Sequence, residues 1–408
     1  MTTLTKSKTM MMSPIYWVLF AISAGHFIND SLQAVVYAMF PILEQNLHFT
    51  YTQIGWVAFV LNMTSSIMQP VFGSFADKRS VPFLLPFGTF LSLLGLVGLA
   101  LFSNFFFILI AALFIGLGSA IFHPEGSRVT SMAAGGKRGL AQSIYQVGGN
   151  TGQAMAPIYT AFILIPFGQK GGLIFSILAI IGICILFLVS SWYKNQLSHM
   201  NYHTMKKTQA KRKKHKLNSK IKTAMILLVF FVFARSWYHA GISSFYQFYL
   251  IEDYGLSVTE AQFYLFTFMI AGAIGTLFGG PLADRFGNKN IIMISMLGIV
   301  PFTISLPYVP IQFVMPMFLI VGFIMMTSFS VSVVYAQELM PKNIGMASGL
   351  IVGLAFGMGA IGSVFLGTFA DMFNIKVVMI FCSFLPIIGI IAMLLPNDSK
   401  VREINQSI

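Results

Sequence analysis

Two stretches of the sequence place polar and ionisable side chains at helical spacing inside long apolar runs. The first stretch carries His26, Asp30, Gln33 and Tyr37, which are four, three and four residues apart. The second carries Arg235, His239, Ser243 and Tyr246, which are four, four and three residues apart. These intervals place each set on one face of an α-helix. A carboxylate beside an imidazole suits proton binding, and a guanidinium beside an imidazole suits binding of an anion.

The composition around these stretches is that of a chain embedded in a membrane. Hydrophobic residues make up 56% of the 408 residues and charged residues only 9%, and the mean hydropathy is +0.80. A soluble chain carries about 25% charged residues, so a disordered, fibrous or cytosolic protein is excluded. A spanning helix needs about 20 apolar residues, and twelve such runs occur. We therefore predict an all-α membrane protein with twelve transmembrane helices in two pseudo-symmetric six-helix bundles.

The apolar runs are interrupted by glycine, proline and polar residues. They lie near residues 15–40, 52–75, 83–103, 105–123, 139–166, 171–193, 223–250, 259–283, 290–309, 311–336, 344–370 and 375–396. A polar interval divides them, which predicts an N-terminal bundle in residues 1–193, a basic linker in residues 194–222 and a C-terminal bundle in residues 223–408.

Lysine and arginine are distributed unevenly between the two membrane faces of this predicted topology. If both termini are cytoplasmic, the segments on that side hold 22 of the 25 Lys and Arg residues, and the outer loops hold two. Positive charge is enriched in cytoplasmic loops, so we predict this orientation. The run from Lys211 to Lys214 lies in the linker. It then marks topology and contacts anionic lipid headgroups of the bilayer rather than nucleic acid.

The two halves repeat one short motif. Gly73-Ser-Phe-Ala-Asp77-Lys78 ends the second span, and Gly280-Pro-Leu-Ala-Asp284-Arg285-Phe-Gly287-Asn-Lys289 ends the eighth. Both resemble the signature loop of the major facilitator superfamily, G-x-x-x-D-R-x-G-R-K, although Ser80 stands where the first copy should have its later glycine. The resemblance covers the whole chain and implies the major facilitator fold with alternating access.

Further motifs resemble the fosmidomycin resistance protein family of that superfamily. They are Gly25-His26-Phe-Ile-Asn29-Asp30, Gly118-Ser-Ala-Ile-Phe-His123-Pro124-Glu125, Gly139-Leu-Ala-Gln142-Ser-Ile-Tyr-Gln146-Val-Gly-Gly149-Asn150 and Tyr335-Ala-Gln-Glu338-Leu-Met-Pro341. The resemblance implies a monomer in the bacterial cytoplasmic (inner) membrane. It also implies proton-driven antiport that exports the phosphonate antibiotic fosmidomycin.

We predict that the two polar helix faces line a central cavity near the membrane midplane, where such transporters bind substrate. Asp30, with His26, would carry the coupling proton, because burial and nearby charges set the balance between its protonated and ionised forms. Arg235, with His239, would bind a phosphonate or carboxylate through its planar fork of donors. Proton and anion would compete through a shared electrostatic field. The alternative is a buried network of Asp30 with Arg235 or histidine that only holds helices together.

Other polar residues extend the predicted substrate site. The predicted substrate-binding residues are Arg235, His239, Gln33, Tyr37, Tyr246, Gln142, Gln146 and Asn150. Weaker stripes at helical spacing are formed by Gln142, Gln146 and Asn150 in the fifth span and by Asn62, Ser66 and Gln69 in the second. Such residues line the pathway or bond neighbouring helices, and the sequence leaves both roles open.

Charged residues near the cytoplasmic ends of the spans form a predicted gate. They are Asp77, Glu125, Arg128, Asp284, Arg285, Glu338 and Lys342. Glu125 and Glu338 lie beside the signature aspartates, which predicts a charge network that locks the outward-facing state and breaks as the halves rock. A direct role of these glutamates in proton transfer is the alternative.

Several functions are disfavoured. The arginine that many superfamily antiporters carry in the fourth span is replaced by Ala112, which moves proton coupling onto Asp30. We predict no catalytic residue, no metal site and no cofactor, because the histidines lie on different spans without metal-ligand spacing. A membrane enzyme, a channel and a receptor are poorer interpretations. Proton-coupled uptake of a small organic anion or sugar-like metabolite is the alternative to export.

Overall fold

The computed structural model describes residues 13–78, 81–135, 138–204, 219–340 and 344–406. These ranges are helical and contain no strand. Twelve long helical segments, six in each half, make up the molecule, and a short helix follows them. The predicted fold class, two six-helix bundles of an all-α membrane protein, is confirmed.

The first half contains six segments, of which three are interrupted. They are α1 (Tyr16–Ala38, then Phe40–Leu47), α2 (Tyr51–Lys78), α3 (Leu84–Leu101), α4 (Phe105–Ala133), α5 (Arg138–Ala154, then Ala156–Tyr159, a π-helical turn Thr160–Leu164 and Ile165–Phe167) and α6 (a 3₁₀ segment Gln169–Ile174, then Phe175–Thr204).

The second half repeats this order and adds one short helix. Its segments are α7 (Ser219–Tyr254), α8 (Val258–Phe286), α9 (Asn288–Leu297, then Val300–Ser305), α10 (Ile311–Met326, then Ser328–Leu339), α11 (Ile344–Met372), α12 (Ile375–Phe384, then a 3₁₀ segment Leu385–Leu394) and α13 (Asp398–Gln406).

Nine of the described segments are long and apolar enough to cross a membrane by length and composition alone. The other three of the twelve are α1, α5 and α11. α1 and α5 carry the polar residues of the predicted site, and both are interrupted, at Met39 and Met155. A proline follows at the first or second position of the next helical piece in each case, where its missing N–H is tolerated.

Several predicted span ends are wrong by a few turns. α4 continues to Ala133 with Pro124 inside it, so the predicted end at residue 123 is too early. Transmembrane helices tolerate an internal proline when neighbouring groups satisfy the freed backbone. α6 continues to Thr204, beyond the predicted start of the linker at residue 194. The basic run from Lys211 to Lys214 lies outside the described residues, and the predicted domain boundaries stay predictions.

The two halves meet through α2 against α11 and through α5 against α8. Because α8 is the repeat equivalent of α2 and α11 that of α5, these two contacts are related by the internal repeat. Gly55 of α2 faces the backbone carbonyl of Ser363, and Gly367 of α11 faces that of Tyr51, so closely that a Cβ on either glycine would overlap the oxygen. Small residues permit such close backbone approach in membranes.

These contacts lie toward the face at which α2 and α8 begin. We name the two faces outer and inner, as the predicted topology has them. The rings of Phe162 in α5 and Phe263 in α8 also meet toward the outer face, with centroids 6.2 Å apart. The halves are therefore closed against each other on the outer side.

Gly367→Val should keep the outer face from closing, because its side chain would overlap the facing α2 carbonyl. We expect Thr52→Cys to react faster with a membrane-impermeant maleimide added outside the cell when this valine is present. The background replaces Cys184 and Cys382 by alanine. Gly353→Val is the control, since a Cβ at Gly353 on the same helix meets nothing within 4 Å. Equal labelling rates in the two variants would contradict the prediction.

Candidate functional site: a polar cavity between the halves

A cavity of about 260 Å³ lies between the two halves. Side chains from α1, α2, α4 and α5 line one wall, and side chains from α7, α8, α10 and α11 line the other. The predicted site residues at its surface are His26, Asp30, Gln33, Tyr37, Gln146, Asn150, Arg235 and His239. The polar faces of α1 and α7 thus line one shared cavity, while the roles assigned to their residues stay predictions.

The Asp30 carboxylate is the centre of the first wall and is only 3% exposed. Asn29 Nδ2 and Gln33 Nε2 donate to its Oδ1 at 2.9 and 3.3 Å, and Gln153 Nε2 of α5 donates to its Oδ2 at 3.1 Å. An ionised carboxylate is acceptor-only and costs several kcal/mol to bury without donors. Three side-chain amides from two helices therefore hold this charge in place.

Two histidines face the same carboxylate. His26 Nε2 lies 3.5 Å from Asp30 Oδ2, and His123 Nε2 of α4 lies 3.6 Å from Oδ1. The Nδ1 atoms contact backbone carbonyl oxygens, that of Tyr145 at 2.8 Å and that of Ser119 at 2.9 Å. A carbonyl only accepts, so each Nδ1 carries a hydrogen. Each Nε2 then faces the carboxylate with either a lone pair or a second hydrogen, and the site can hold additional protons.

The sequence-based premise that the histidines lie apart is therefore wrong for His26 and His123. Their rings meet edge to face with centroids 5.2 Å apart, because α1 and α4 are neighbours in the bundle. With Asp30 they place three possible metal-ligand atoms within 4.8 Å of one another. The predicted absence of a metal site stays a prediction.

Close contact between α1 and α5 brings the Gln153 donor to Asp30. Gly148 and Gly152 of α5 lie against backbone carbonyls of α1, and a Cβ on either would overlap them. Gly149 lies between the two and faces the His26 ring and the Asp30 carboxylate; a Cβ there would overlap the ring and lie 2.9 Å from Oδ2. These glycines let α5 approach α1 closely enough for its amides to reach the carboxylate.

Arg235 forms the centre of the second wall and is 3% exposed. Its Nη1 donates to the hydroxyls of Ser328 and Ser332 on α10 at 3.1 and 3.4 Å, and its guanidinium lies 5.3 Å from the Phe329 ring centroid. Within the described ranges, no carboxylate lies within 4.0 Å of this cation. The predicted alternative was a network of Asp30 with Arg235 or histidine. Its Asp30–Arg235 ion pair is not formed between the described atoms, whereas its histidine contacts are present.

Tyr246 does not line the cavity, in contrast to its predicted role. Its ring is buried against Tyr249 and Phe318, with centroids 5.3 and 4.7 Å away. The face of α7 that lines the cavity also includes Ser236 and Ser244. Tyr246 lies at the edge of this face, and its ring is turned toward Phe318 of α10. The predicted Gln142 side chain lies outside the described residues.

Three polar residues on the first-half wall of the cavity were not predicted as substrate or proton sites. Gln153 continues the fifth-span stripe by three residues beyond Asn150, which the spacing alone could have shown. Asn62 was left between two roles; its Nδ2 donates to the Tyr37 hydroxyl at 2.5 Å and it lines the cavity. His123 belongs to one of the family-like motifs, but no periodic pattern in the sequence connects it to Asp30. The two residues meet only because α4 packs against α1.

The predicted inner-face charges form contacts within each half. Glu125 Oε1 lies 3.5 Å from Arg128 Nη1, and this arginine lies 3.4 Å from the Tyr193 hydroxyl. Glu338 Oε2 accepts from Asn288 Nδ2 at 3.1 Å. The first cluster belongs to α4 and α6, and the second to α9 and α10.

The contacts of the remaining predicted gate residues give little support for a gating role. Asp284 and Arg285 are exposed, and the Arg285 guanidinium lies over the Phe286 ring at 5.3 Å. The Asp77 side chain and Lys342 lie outside the described residues. A gating role for the inner charges stays a prediction.

An outer-face contact that the sequence did not suggest joins the halves through charge. Asp371, at the end of α11, accepts from the backbone N–H groups of Tyr51 and Thr52 at 2.9 and 2.8 Å. Helix N-terminal N–H groups have no partner within their own helix, so a carboxylate of the second half caps α2 of the first. The Tyr51 hydroxyl also donates to Glu252 of α7.

Two six-helix bundles around a central polar cavity, closed on one side, are the architecture of a membrane transporter. The Major Facilitator Superfamily model matches the sequence over residues 22–362 and 226–407. The chain belongs to the Major Facilitator Superfamily.

Two relatives are similar over nearly the whole chain. The uncharacterized MFS-type transporter YfnC of Bacillus subtilis is 50% identical over 95% of both chains. The fosmidomycin resistance protein of Escherichia coli is 42% identical over 94% of this chain and 93% of its own length. The motifs that resembled the fosmidomycin resistance protein family thus reflect similarity along the full sequence.

Solved transporter structures share the fold at low sequence identity. A bacterial homolog of the human lysosomal transporter Spinster superposes with a TM-score of 0.74 at 15% identity, covering 95% of this chain and 97% of that one. The nucleoside transporter NupG gives a TM-score of 0.71 at 14% identity, covering 93% and 98%. Both likenesses concern the fold alone.

Gly149→Ala should destabilise the protein, because the new methyl group would overlap the His26 ring. Overpacking a close contact costs typically 1–3 kcal/mol, so we expect a lower unfolding temperature of the purified protein than for Gly353→Ala. In a His26→Ala background the same change should cost less, since the overlapping ring is gone. An equal loss in both backgrounds would show that the methyl group does not meet His26.

Proposed function

We propose that the protein is a proton-coupled antiporter of the bacterial cytoplasmic membrane that exports small anionic compounds, such as fosmidomycin, by alternating access. The observation that carries the proposal is a buried cation, Arg235, which has no carboxylate partner among the described residues and faces the same cavity as the Asp30 carboxylate and its histidines. The 42% identical fosmidomycin resistance protein supports the direction and the phosphonate class.

The substrate class follows from Arg235. A buried guanidinium with two hydroxyl contacts keeps donors for a bidentate phosphonate or carboxylate, the geometry that arginine binds best. An arriving anion would supply the charge that the described side chains do not provide. The cavity of about 260 Å³ is near the lower end of drug-sized pockets, which span roughly 300–1,000 Å³, so the substrate is small.

The proton site is the group formed by Asp30, His26 and His123. Its three titratable side chains come from α1 and α4 of the first half, whereas Arg235 belongs to the second. Proton and substrate therefore bind on opposite walls, and both are exposed to whichever face the cavity opens.

Antiport requires that proton and substrate exclude each other. The shared electrostatic field, which was expected to make proton and anion compete, acts by itself in the opposite direction, because a proton on Asp30 removes a negative charge and so favours binding of an anion. Exclusion arises when the substrate binds Arg235 with its anionic end and donates a hydrogen bond to Asp30 with its other end. The ionised carboxylate accepts such a hydrogen bond more strongly than the protonated group, in which one oxygen carries a donor hydrogen. Such a substrate therefore favours release of the proton.

Cotransport is the second candidate, and the same charges favour it for a substrate without a donor group. A purely anionic metabolite would bind most tightly when Asp30 is protonated, so proton and anion would move together. This corresponds to uptake by a symporter. The sign of the pH change on adding substrate separates the two functions.

Alternating access would proceed by rocking of the two halves about the cavity. The outer face is closed by the α2–α11 contact and the Asp371 cap, which is the inward-facing arrangement if both termini are cytoplasmic. Glu125 with Arg128 lies toward the inner face in the first half, and Glu338 with Asn288 lies there in the second. We propose that these charges take part in locking the outward-facing state. We further propose that one chain suffices, since the cavity is formed within it.

Asp30→Asn should abolish proton exchange, because asparagine cannot carry the proton. Everted membrane vesicles are acidified inside, and a pH-sensitive dye reports the gradient. Adding fosmidomycin to wild type should release protons from the lumen, and the asparagine variant should not respond. The matched control is Asp253→Asn on α7, whose carboxylate pairs with Lys376 at 2.9 Å at the outer face.

The other outcomes contradict parts of the proposal. An equal response of wild type and Asp30→Asn would place proton coupling elsewhere. Further acidification by wild type would indicate cotransport. Labelled fosmidomycin entering wild-type vesicles without any pH change would show transport that is not coupled to protons.

Arg235→Gln should weaken binding of fosmidomycin to the purified protein by about 10–150-fold, since a hydrogen bond to a charged group contributes roughly 1.5–3 kcal/mol. Arg235→Lys keeps the charge but loses the planar fork, so an intermediate affinity is expected. Lys170→Gln, in the exposed 3₁₀ segment that begins α6, removes a cation that does not line the cavity and serves as control. Unchanged calorimetric affinity in Arg235→Gln would place the anion site elsewhere.

A further inference from the structure

A second cavity, of about 400 Å³, lies at the inner face of the second half. It is bounded by the first turns of α7, the start of α9 and the segment from the end of α12 into α13. Each of these elements contributes one lysine to its surface: Lys220, Lys289 and Lys400. Leu227 and Leu395 provide apolar surface beside them.

Specific hydrogen bonds fix the walls of this cavity. Lys289 Nζ donates to the backbone carbonyl of Met393 at 2.8 Å, which joins α9 to the end of α12. The Tyr335 hydroxyl of α10 donates to the carbonyl of Pro396 at 2.6 Å and holds the turn that leads into α13. The pocket is therefore a built feature of the second half rather than a chance grouping of surface lysines.

Three lysines line the pocket, and none of the described residues that line it carries a carboxylate. Next to Lys289, Asn288 donates to two carboxylates at the N-terminus of α9: its backbone N–H to Asp398 Oδ2 at 2.8 Å and its Nδ2 to Glu338 Oε2 at 3.1 Å. Lys289 has two further N–H donors beyond its bond to the Met393 carbonyl. A ligand that carries negative charge and several acceptor oxygens matches three ammonium groups from three elements.

The depth of the pocket in the membrane points to the source of that ligand. The spans of α7 and α9 begin at Ser219 and Asn288, and the span of α12 ends at Leu394. The lysines thus lie close to span ends, at the level of lipid headgroups. Beside them Leu394 is 71% exposed and Met393 54% exposed, which provides an apolar surface for acyl chains.

We propose that this pocket binds the phosphate-bearing headgroup of an anionic glycerophospholipid of the inner leaflet, with the acyl chains along Met393 and Leu394. Basic pockets between transmembrane helices bind such headgroups. A bound lipid would tie together the inner ends of α7, α9 and α12. The site is separate from the central cavity, so either proposal can fail without the other.

The test uses the full-length protein in nanodiscs of phosphatidylcholine with or without phosphatidylglycerol. Native mass spectrometry counts retained lipid, and thermal unfolding reports stabilisation. Lys289→Gln/Lys400→Gln should bind phosphatidylglycerol about 30-fold more weakly than wild type, the factor for two lysines at roughly 1 kcal/mol each. The control Lys194→Gln/Lys222→Gln removes the same charge from exposed inner-face positions outside the pocket and should bind as wild type does.

Three results would overturn the proposal. Equal losses in the two double variants would show attraction by surface charge without a site. Equal retention of phosphatidylcholine and phosphatidylglycerol by wild type would remove the role of charge. If inorganic phosphate stabilises wild type in phosphatidylcholine discs as much as phosphatidylglycerol does, the pocket is a site for a soluble anion.

Discussion

A charged group inside a membrane protein must be given hydrogen-bond partners by the protein itself, and much of this structure follows from doing so for Asp30. Its carboxylate receives amide donors from α1 and α5 and faces imidazoles from α1 and α4. The glycines on one face of α5 let this helix approach α1 closely enough for these contacts to form. Three helices of the first half are thus positioned about one carboxylate.

The buried cation of the second half has a different environment. Arg235 donates hydrogen bonds to two hydroxyls and lies over an aromatic ring, but no carboxylate of the described residues pairs with it. The two walls of the cavity are therefore unequal: one satisfies its charge internally, and the other keeps donors for an incoming anion. In the proposed mechanism, this asymmetry between equivalent helices of a repeated fold would separate a proton site from a substrate site. The hydrogen-bonding groups of the substrate would then decide the direction of coupling.

At the outer face, contacts between the halves combine close backbone approach at Gly55 and Gly367 with the Asp371 cap on α2. In the proposed alternating access these contacts would separate when the cavity opens outward. The inner ends of α7, α9 and α12 are instead joined within one half around the basic pocket. In that cycle the outer closure would be reversible, whereas the contacts within one half would persist.

The sequence by itself determined the fold class, the repeat and the two polar helix faces that line the cavity. Periodicity is sufficient there because a polar side chain in an apolar helix must face the protein interior, which is why His26, Asp30, Arg235 and His239 were found. Periodicity could not predict contacts between helices that are distant in sequence. The approach of His123 to Asp30, the cap that Asp371 provides for α2 and the burial of Tyr246 against α10 depend on how helices pack, and the extension of α4 past Pro124 depends on neighbours that satisfy its backbone. Spacing along one helix records which face is polar, but only tertiary structure decides which face of another helix it meets.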